Sequence, residues 1–130
     1  MAGKRILAVE NNDLVRSFIE DGLVMAGYEV ETATNGREAL EKIHRTAYDL
    51  IISDLRMPEV DGAGLWEGLL ARDTDALARL VFLASPDTLD DHHAFLARTG
   101  VPVLAKPVDL DDLRSVVERM LGPIAEPVPD

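Results

Sequence analysis

The sequence predicts a single α/β domain, built on a parallel sheet with helices on both faces. Short apolar runs, too continuous for half-exposed strands, suit buried strands at residues 6–9, 50–52, 80–84 and 103–105. A further segment at residues 28–33 alternates apolar and polar residues, which suits a strand nearer the sheet edge. Segments with helical spacing separate these strands, and parallel strands need such crossovers.

The helices follow the strands with recognisable start and stop signals. The first is expected from Val15 to Ala26, closed by Gly27, and the Asn35-Gly36 turn precedes the second. The acidic run at residues 85–91 is expected to cap and begin the fourth helix, because acids at a helix N-terminus complement its dipole. The last four helices are expected around residues 39–43, 65–70, 89–97 and 110–121.

Length and charge narrow the class of function. A chain of 130 residues is long enough for one core, and its formal charge of −11 repels a phosphate backbone. Its 13 basic residues are scattered, so we expect no direct nucleic-acid binding. No apolar run reaches membrane-spanning length, and neither a signal-like segment nor a cysteine is present. A cytoplasmic location without disulfides or membrane contact is the expectation.

The domain is expected to cover residues 1–121. Residues 122–130, GPIAEPVPD, hold three prolines in nine residues and cannot continue a helix. They are read as a tail or the start of a linker. Trp66 lies in an apolar helical stripe and is read as packing, and His92 and His93 as a solvated helix face, since adjacent helical residues point in different directions.

Polar residues follow the strands at the edge where a parallel sheet binds ligands. Carboxylate and amide oxygens there suit Mg²⁺, and an ammonium suits a phosphoryl group. A carboxylate after the third strand can act as a nucleophile toward phosphorus. An isolated Asp after a strand is as often a helix or loop cap as a functional residue, and an isolated Lys in a loop is usually solvated. The placement of both at one edge of the sheet is what favours a phosphoryl site. The residues are Glu10, Asn11, Asn12, Asp54, Ala84, Ser85 and Lys106.

Two segments carry a resemblance to the receiver domains of two-component response regulators. Residues 52–62, ISDLRMPEVDG, resemble the segment around the phosphoacceptor aspartate, and residues 104–113, LAKPVDLDDL, resemble the lysine-proline segment. The resemblance covers residues 4–121, and residues 94–114 look especially like receivers of hybrid histidine kinases. It implies a flavodoxin-like (βα)5 doubly wound sheet of strand order 2-1-3-4-5.

The resemblance also implies roles for single residues. Asp54 would be the phosphoacceptor and Lys106 its partner for phosphoryl oxygens, with a cis bond between Lys106 and Pro107. Met57, Pro58 and Gly62 match the loop of the family. The metal would be Mg²⁺, held by Glu10, Asn11, Asp54 and the backbone carbonyl of Arg56.

The partners implied are a histidine kinase or phosphotransfer protein as donor and a downstream protein as target. Enzymatic activity would be limited to Mg²⁺-dependent self-phosphorylation and dephosphorylation at Asp54. We expect a monomer or weak dimer.

Three departures from the family pattern open an alternative. Asn11 replaces an acid, which predicts weaker Mg²⁺ binding. Ala84 stands where the family has a hydroxyl, so Ser85 serves only if the strand shifts by one residue, and Val103 replaces an aromatic residue. The alternative is a pseudo-receiver, a protein-interaction module of the same fold that works without phosphorylation. An aspartate-nucleophile phosphatase is disfavoured, because such enzymes place the nucleophile after the first strand.

Overall fold

The computed structural model describes residues 4–57 and 59–122, and within them it shows five strands, six α-helices and one 3₁₀ helix. Pro58 and residues 123–130 lie outside the described residues, so the expectations for Pro58 and for the tail stay predictions. The elements are β1 Arg5–Val9, α1 Asp13–Met25, β2 Glu29–Ala33, α2 Gly36–Arg45, β3 Leu50–Asp54, α3 Gly62–Arg72, the 3₁₀ helix Thr74–Arg79, β4 Leu80–Ala84, α4 Pro86–Asp91, α5 His93–Thr99, β5 Val103–Ala105 and α6 Leu110–Leu121.

The sheet is parallel throughout, in the order β2-β1-β3-β4-β5. This confirms the predicted fold class and strand order. The register places Val9 beside Ser53, and Asp54 beside Leu83. The residues that follow β1, β3, β4 and β5 therefore meet at one edge of the sheet. No helix in the described ranges is both long and apolar enough to cross a membrane.

Two apolar clusters cover the two faces of the sheet. Alternate residues of β1 supply both clusters, with Leu7 in one and Ile6 in the other. The first cluster includes residues of α2 and α3, and the second includes residues of α1 and α6. The central strands β3 and β4 are buried along their whole length, as predicted for continuous apolar runs.

Both edge strands differ from the centre. β2 alternates in burial and lies at the edge, as predicted. β5 was predicted to be buried, but it forms the other edge, and Val103 and Leu104 are only half-buried. An apolar run alone does not show whether a strand has neighbours on both sides.

The predicted single helix around residues 89–97 was wrong. The chain forms α4 and α5 instead, separated at His92, whose φ of −112° and ψ of 16° leave the helical region. The ring Nδ1 of His92 donates to the carbonyl of Thr88 at 2.9 Å. This bond holds His92 half-buried, so only the exposed His93 fits the predicted solvated face. Ser85 caps α4, as expected for the acidic run.

The 3₁₀ helix before β4 was not predicted from the sequence. Only Ala76 of its six residues is buried, so it carries no apolar periodicity that could reveal it. The helix turns the chain between α3 and β4.

Gly62, the first residue of α3, lies against the end of β3. Its N–H donates to the carbonyl of Leu55 at 2.9 Å. A Cβ at this position would lie 2.8 Å from the Cα of Leu55 and 2.9 Å from Cε1 of Phe82. Close packing of two backbones therefore requires glycine here, and the same contact holds Leu55, the residue after Asp54, against the start of α3.

We expect Gly62→Ala to lower the free energy of unfolding by about 1–3 kcal/mol, because the backbone of Leu55 cannot move aside cheaply. Gly68→Ala, in the same helix, is the matched control. Its Cβ would meet only the side-chain end of Leu40, and alanine favours a helix interior. Urea unfolding of both variants checks this. Equal stability of the two variants would contradict the packing argument.

Candidate functional site

Glu10 is held rigidly at the end of β1. Its N–H donates to the carbonyl of Ala33 at 3.0 Å, so the backbone continues the sheet by one residue. Its carboxylate is 1% exposed and accepts from the N–H of Asn12 at 2.9 Å. Arg16 donates to the carbonyl of Glu10 at 3.0 Å and pairs with Asp13 at 2.6 Å. Sequence reasoning missed Arg16, whose only signal is its place one turn after Asp13 in α1.

Asp54 is the last residue of β3, and its side chain is 11% exposed. The next residue, Leu55, donates its N–H to the carbonyl of Leu83 at 2.9 Å, which extends the β3–β4 ladder past the acid. The N–H of Arg56 lies 3.4 Å from Oδ1 of Asp54. The carboxylate is therefore fixed at the rim of the sheet, where a small part of it reaches solvent.

Lys106 joins the two carboxylates. Its N–H donates to the carbonyl of Ala84 at 2.8 Å, which anchors the residue after β5. Its Nζ lies 2.7 Å from Oε1 of Glu10 and 2.9 Å from Oδ2 of Asp54. The Lys106–Pro107 bond is cis, as the resemblance implied. Three residues far apart in sequence thus bring two carboxylates and one ammonium group into contact.

The pKa values follow from this arrangement. Burial raises the pKa of Asp54, and the charge of Glu10 raises it further, although the hydrogen bond from Lys106 opposes the shift. Burial lowers the pKa of Lys106, but its hydrogen bonds and charge contacts with Glu10 and Asp54 outweigh burial and raise the pKa overall. The lysine is therefore charged at neutral pH, beside a carboxyl that ionises less readily than usual.

The donor set fits a divalent cation of the Mg²⁺ type, though with few charges. Glu10 and Asp54 already hold one cation between their carboxylates, the ammonium of Lys106. Mg²⁺ needs only one or two protein carboxylates, because it keeps several water ligands. Asn11, the next residue, is exposed. Across residues 4–57 and 59–122 no group of three His, Cys, Asp or Glu side chains is placed to hold a metal. The residue after Glu10 accordingly offers an amide oxygen instead of a third charge.

The hydroxyls near the end of β4 are occupied by the start of α4. β4 ends at Ala84, which is buried and pairs with Ala105. The Ser85 hydroxyl accepts from the N–H of Thr88 at 3.4 Å and shares a hydrogen bond with the Thr88 hydroxyl at 3.0 Å. Thr88 is buried and was not singled out in the sequence, because a threonine inside a helical segment has no distinctive pattern.

The side chain of Arg56 contacts the end of α4. Its guanidinium pairs with Asp91 of α4 at 2.6 Å, and both side chains are exposed, by 59% and 63%. The pair links the loop after β3 to the end of α4. Trp66 packs as predicted, half-buried on the core and edge-on to Phe95 with ring centroids 6.0 Å apart.

A family model, the response regulator receiver domain, matches residues 6–118. Among curated proteins, the transcriptional regulatory protein PrrA of Mycobacterium leprae is 33% identical over 121 residues, which cover 93% of this chain and 51% of PrrA. The chain spans about half the length of the first curated relatives that it matches.

Solved structures give the same result. The receiver domain of the hybrid histidine kinase CckA is 35% identical, with a TM-score of 0.72 over 90% of this chain and 98% of that domain. The response regulator TrrA of Thermotoga maritima, solved in complex with Mg²⁺-BeF, is 29% identical, with a TM-score of 0.78 over 91% of this chain and 99% of TrrA. By sequence and by structure, the chain belongs to the family of response regulator receiver domains.

Proposed function

We propose that this receiver domain is a phosphoacceptor that takes a phosphoryl group onto Asp54 from a histidine kinase or phosphotransfer protein. The observation that supports it is the contact of Lys106 with both Asp54 and Glu10, at 2.9 Å and 2.7 Å. Receiver domains are non-catalytic signalling modules that bind Mg²⁺ and interact with such donors. Activity of this chain would be confined to gaining and losing its own phosphoryl group.

In the transfer, a carboxylate oxygen of Asp54 attacks the phosphorus of a phosphohistidine. The new O–P bond forms as the P–N bond breaks, and the electron pair of that bond stays on the leaving imidazole nitrogen. Lys106 then pairs with a phosphoryl oxygen in place of the Asp54 oxygen. Its raised pKa keeps the ammonium charged through this exchange. Mg²⁺, when bound, neutralises the charge that develops on the phosphoryl oxygens.

The proposed metal ligands are Glu10, Asn11, Asp54 and the backbone carbonyl of Arg56. An acid in place of Asn11 would add one unit charge near a divalent ion, worth roughly 8 kcal/mol at about 4 Å in an effective dielectric constant of about 20, before desolvation offsets most of it. The amide therefore weakens Mg²⁺ binding without removing it. TrrA, of similar structure, was solved in complex with Mg²⁺-BeF, which supports Mg²⁺ binding by this chain.

A pseudo-receiver is the second candidate. It is favoured by Asn11, by Val103 and by the end of β4, where Ala84 offers no hydroxyl and the Ser85 hydroxyl is engaged at the start of α4. Such a module would bind its partner without phosphorylation. The buried contact between Asp54 and Lys106 argues against it, since an interaction surface alone does not need two buried carboxylates around one lysine.

The wider setting is also part of the proposal. The signal would pass to a downstream protein through contacts of a cytoplasmic monomer or weak dimer, without direct binding of nucleic acid. The domain would act alone or as the receiver of a longer regulator or hybrid kinase.

Incubation with acetyl phosphate should add one phosphoryl group to the chain, with a yield that rises across a Mg²⁺ titration. Intact-mass spectrometry measures the adduct. Asp54→Asn should abolish it, because an amide oxygen is a poor nucleophile toward phosphorus. Asp90→Asn, an exposed acid of α4, is the matched control and should react as the native chain does. Failure to form an Asp54-dependent adduct at any Mg²⁺ concentration would favour the pseudo-receiver.

Asn11→Asp should tighten Mg²⁺ binding by about tenfold or more, because a carboxylate replaces a neutral ligand beside the ion. Titration calorimetry measures the dissociation constant. Asn12→Asp is the matched control, because it adds the same charge one residue later and keeps the oxygen that caps α1. Equal gains in the two variants would mean that long-range charge, and not ligation by residue 11, is responsible.

Asp54→Asn should make the metal-free protein more stable at neutral pH. Because the folded chain raises the pKa of Asp54, the unfolded chain releases this proton at lower pH, and stability falls as pH rises between the two pKa values. The amide of Asn does not titrate, so the variant does not lose this stability as pH rises. Thermal unfolding in a chelator across pH checks this, and the difference should vanish below the pKa of the unfolded carboxyl. A variant with a lower melting temperature than the native chain at pH 7 would refute the argument.

A further inference from the structure

A cavity of about 360 Å³ opens at the end of the sheet opposite Asp54. Its walls are the loop before β3, the C-terminal ends of α2 and α3, and Arg79, which directly precedes β4. Asp54 lies at the other end of β3. A strand of five residues spans about 13–17 Å, so the cavity is distinct from the acidic site.

Three arginines line this cavity: Arg45, Arg72 and Arg79. Within the described ranges, none of them has a carboxylate within the 4.0 Å of an ion pair. In those ranges Lys4, Arg98, Arg114 and Arg119 also have no ion pair, so what distinguishes the three arginines is that they line one cavity. Six other basic side chains do have such partners: Arg5, Arg16, Arg37, Lys42, Arg56 and Lys106.

Neutral groups position these guanidinium groups. Arg79 donates to the carbonyl of Tyr48 at 3.4 Å, and Arg72 donates to Nε2 of His44 at 3.0 Å. Arg45 donates to the carbonyl of Glu41 at 3.4 Å. Because carbonyls and an imidazole carry no negative charge, the positive charge of each arginine stays available to a ligand.

The rest of the lining shows what kind of anion would fit. Asp73 and Asp75 also line the cavity, so the arginines outnumber the acids by only one. Buried apolar side chains form part of the wall: Ile43, Tyr48, Ile51 and Ala76. The volume exceeds that of inorganic phosphate and falls within the lower range of small-molecule pockets.

We propose that this cavity binds a small organic phosphate, with its phosphate group on Arg72 and Arg79 and its organic part against the apolar wall. The planar fork of a guanidinium matches phosphate oxygens in pairs, and a terminal phosphate offers three oxygens where a carboxylate offers two. Such a site gives the chain a second ligand at the opposite end of the strands that carry the acidic site. The proposal does not depend on phosphorylation of Asp54.

The test uses phenylphosphonate and methylphosphonate, which carry the same anionic group on an apolar ring or on a methyl group and cannot donate a phosphoryl group. Titration of the ¹⁵N-labelled chain followed by NMR should give saturable shifts at the amides that line the cavity. Phenylphosphonate should bind about tenfold more tightly, because its ring is removed from water. Arg72→Gln and Arg79→Gln should each weaken binding about tenfold.

Arg119→Gln is the matched control, since Arg119 is exposed on α6 and, in the part of the chain that the structure describes, also has no ion pair. It should leave the affinity unchanged, and so should Asp54→Asn. Shifts that do not saturate, equal affinity for the two phosphonates, or shifts confined to residues around Lys106 would each overturn the proposal. An equal loss in Arg119→Gln would also overturn it.

Discussion

The site depends on one interaction, the ammonium of Lys106 between the carboxylates of Glu10 and Asp54. Two acids buried side by side repel each other and lose their hydration, so the fold tolerates them only with a cation between them. Glu10 and Lys106 directly follow β1 and β5, and Asp54 is the last residue of β3. The parallel register of β1, β3, β4 and β5 brings them to one edge. The sheet therefore determines the geometry of the site, and the loops adjust its surroundings.

The strands, and the meeting of Glu10, Asp54 and Lys106 at one edge of the sheet, could be predicted because their signals are local. The apolar run before Asp54 marks both a buried strand and the point where its carboxyl end meets solvent, and the same holds for Glu10. The break at His92 and the buried hydroxyl of Thr88 could not be predicted. Both depend on hydrogen bonds between a side chain and a nearby group, which leave no trace in apolar periodicity.

The departures from the family pattern bear on different steps of the proposed function, which are metal binding and the response to phosphorylation. At the proposed metal site, Asn11 would reduce the charge around the ion but leave Glu10 and Asp54 in place. Under the proposed function, Ala84 and Val103 would instead affect the response to a phosphoryl group; they lie at the end of β4 and on β5. Under the proposed function, the chemistry at Asp54 and the response to it would therefore be separable, and reactivity alone would not reveal how a signal leaves the domain.

The division of the fourth helical segment gives this domain an uneven distribution of stability. α5 has no buried residue, and its link to the core includes the half-buried ring of Phe95 against Trp66. The exposed pair of Arg56 and Asp91 holds the end of α4, so it does not tie α5 to the core. Detachment of α5 should therefore cost much less than global unfolding. A partner that binds the detached form would then have only this smaller free energy to overcome.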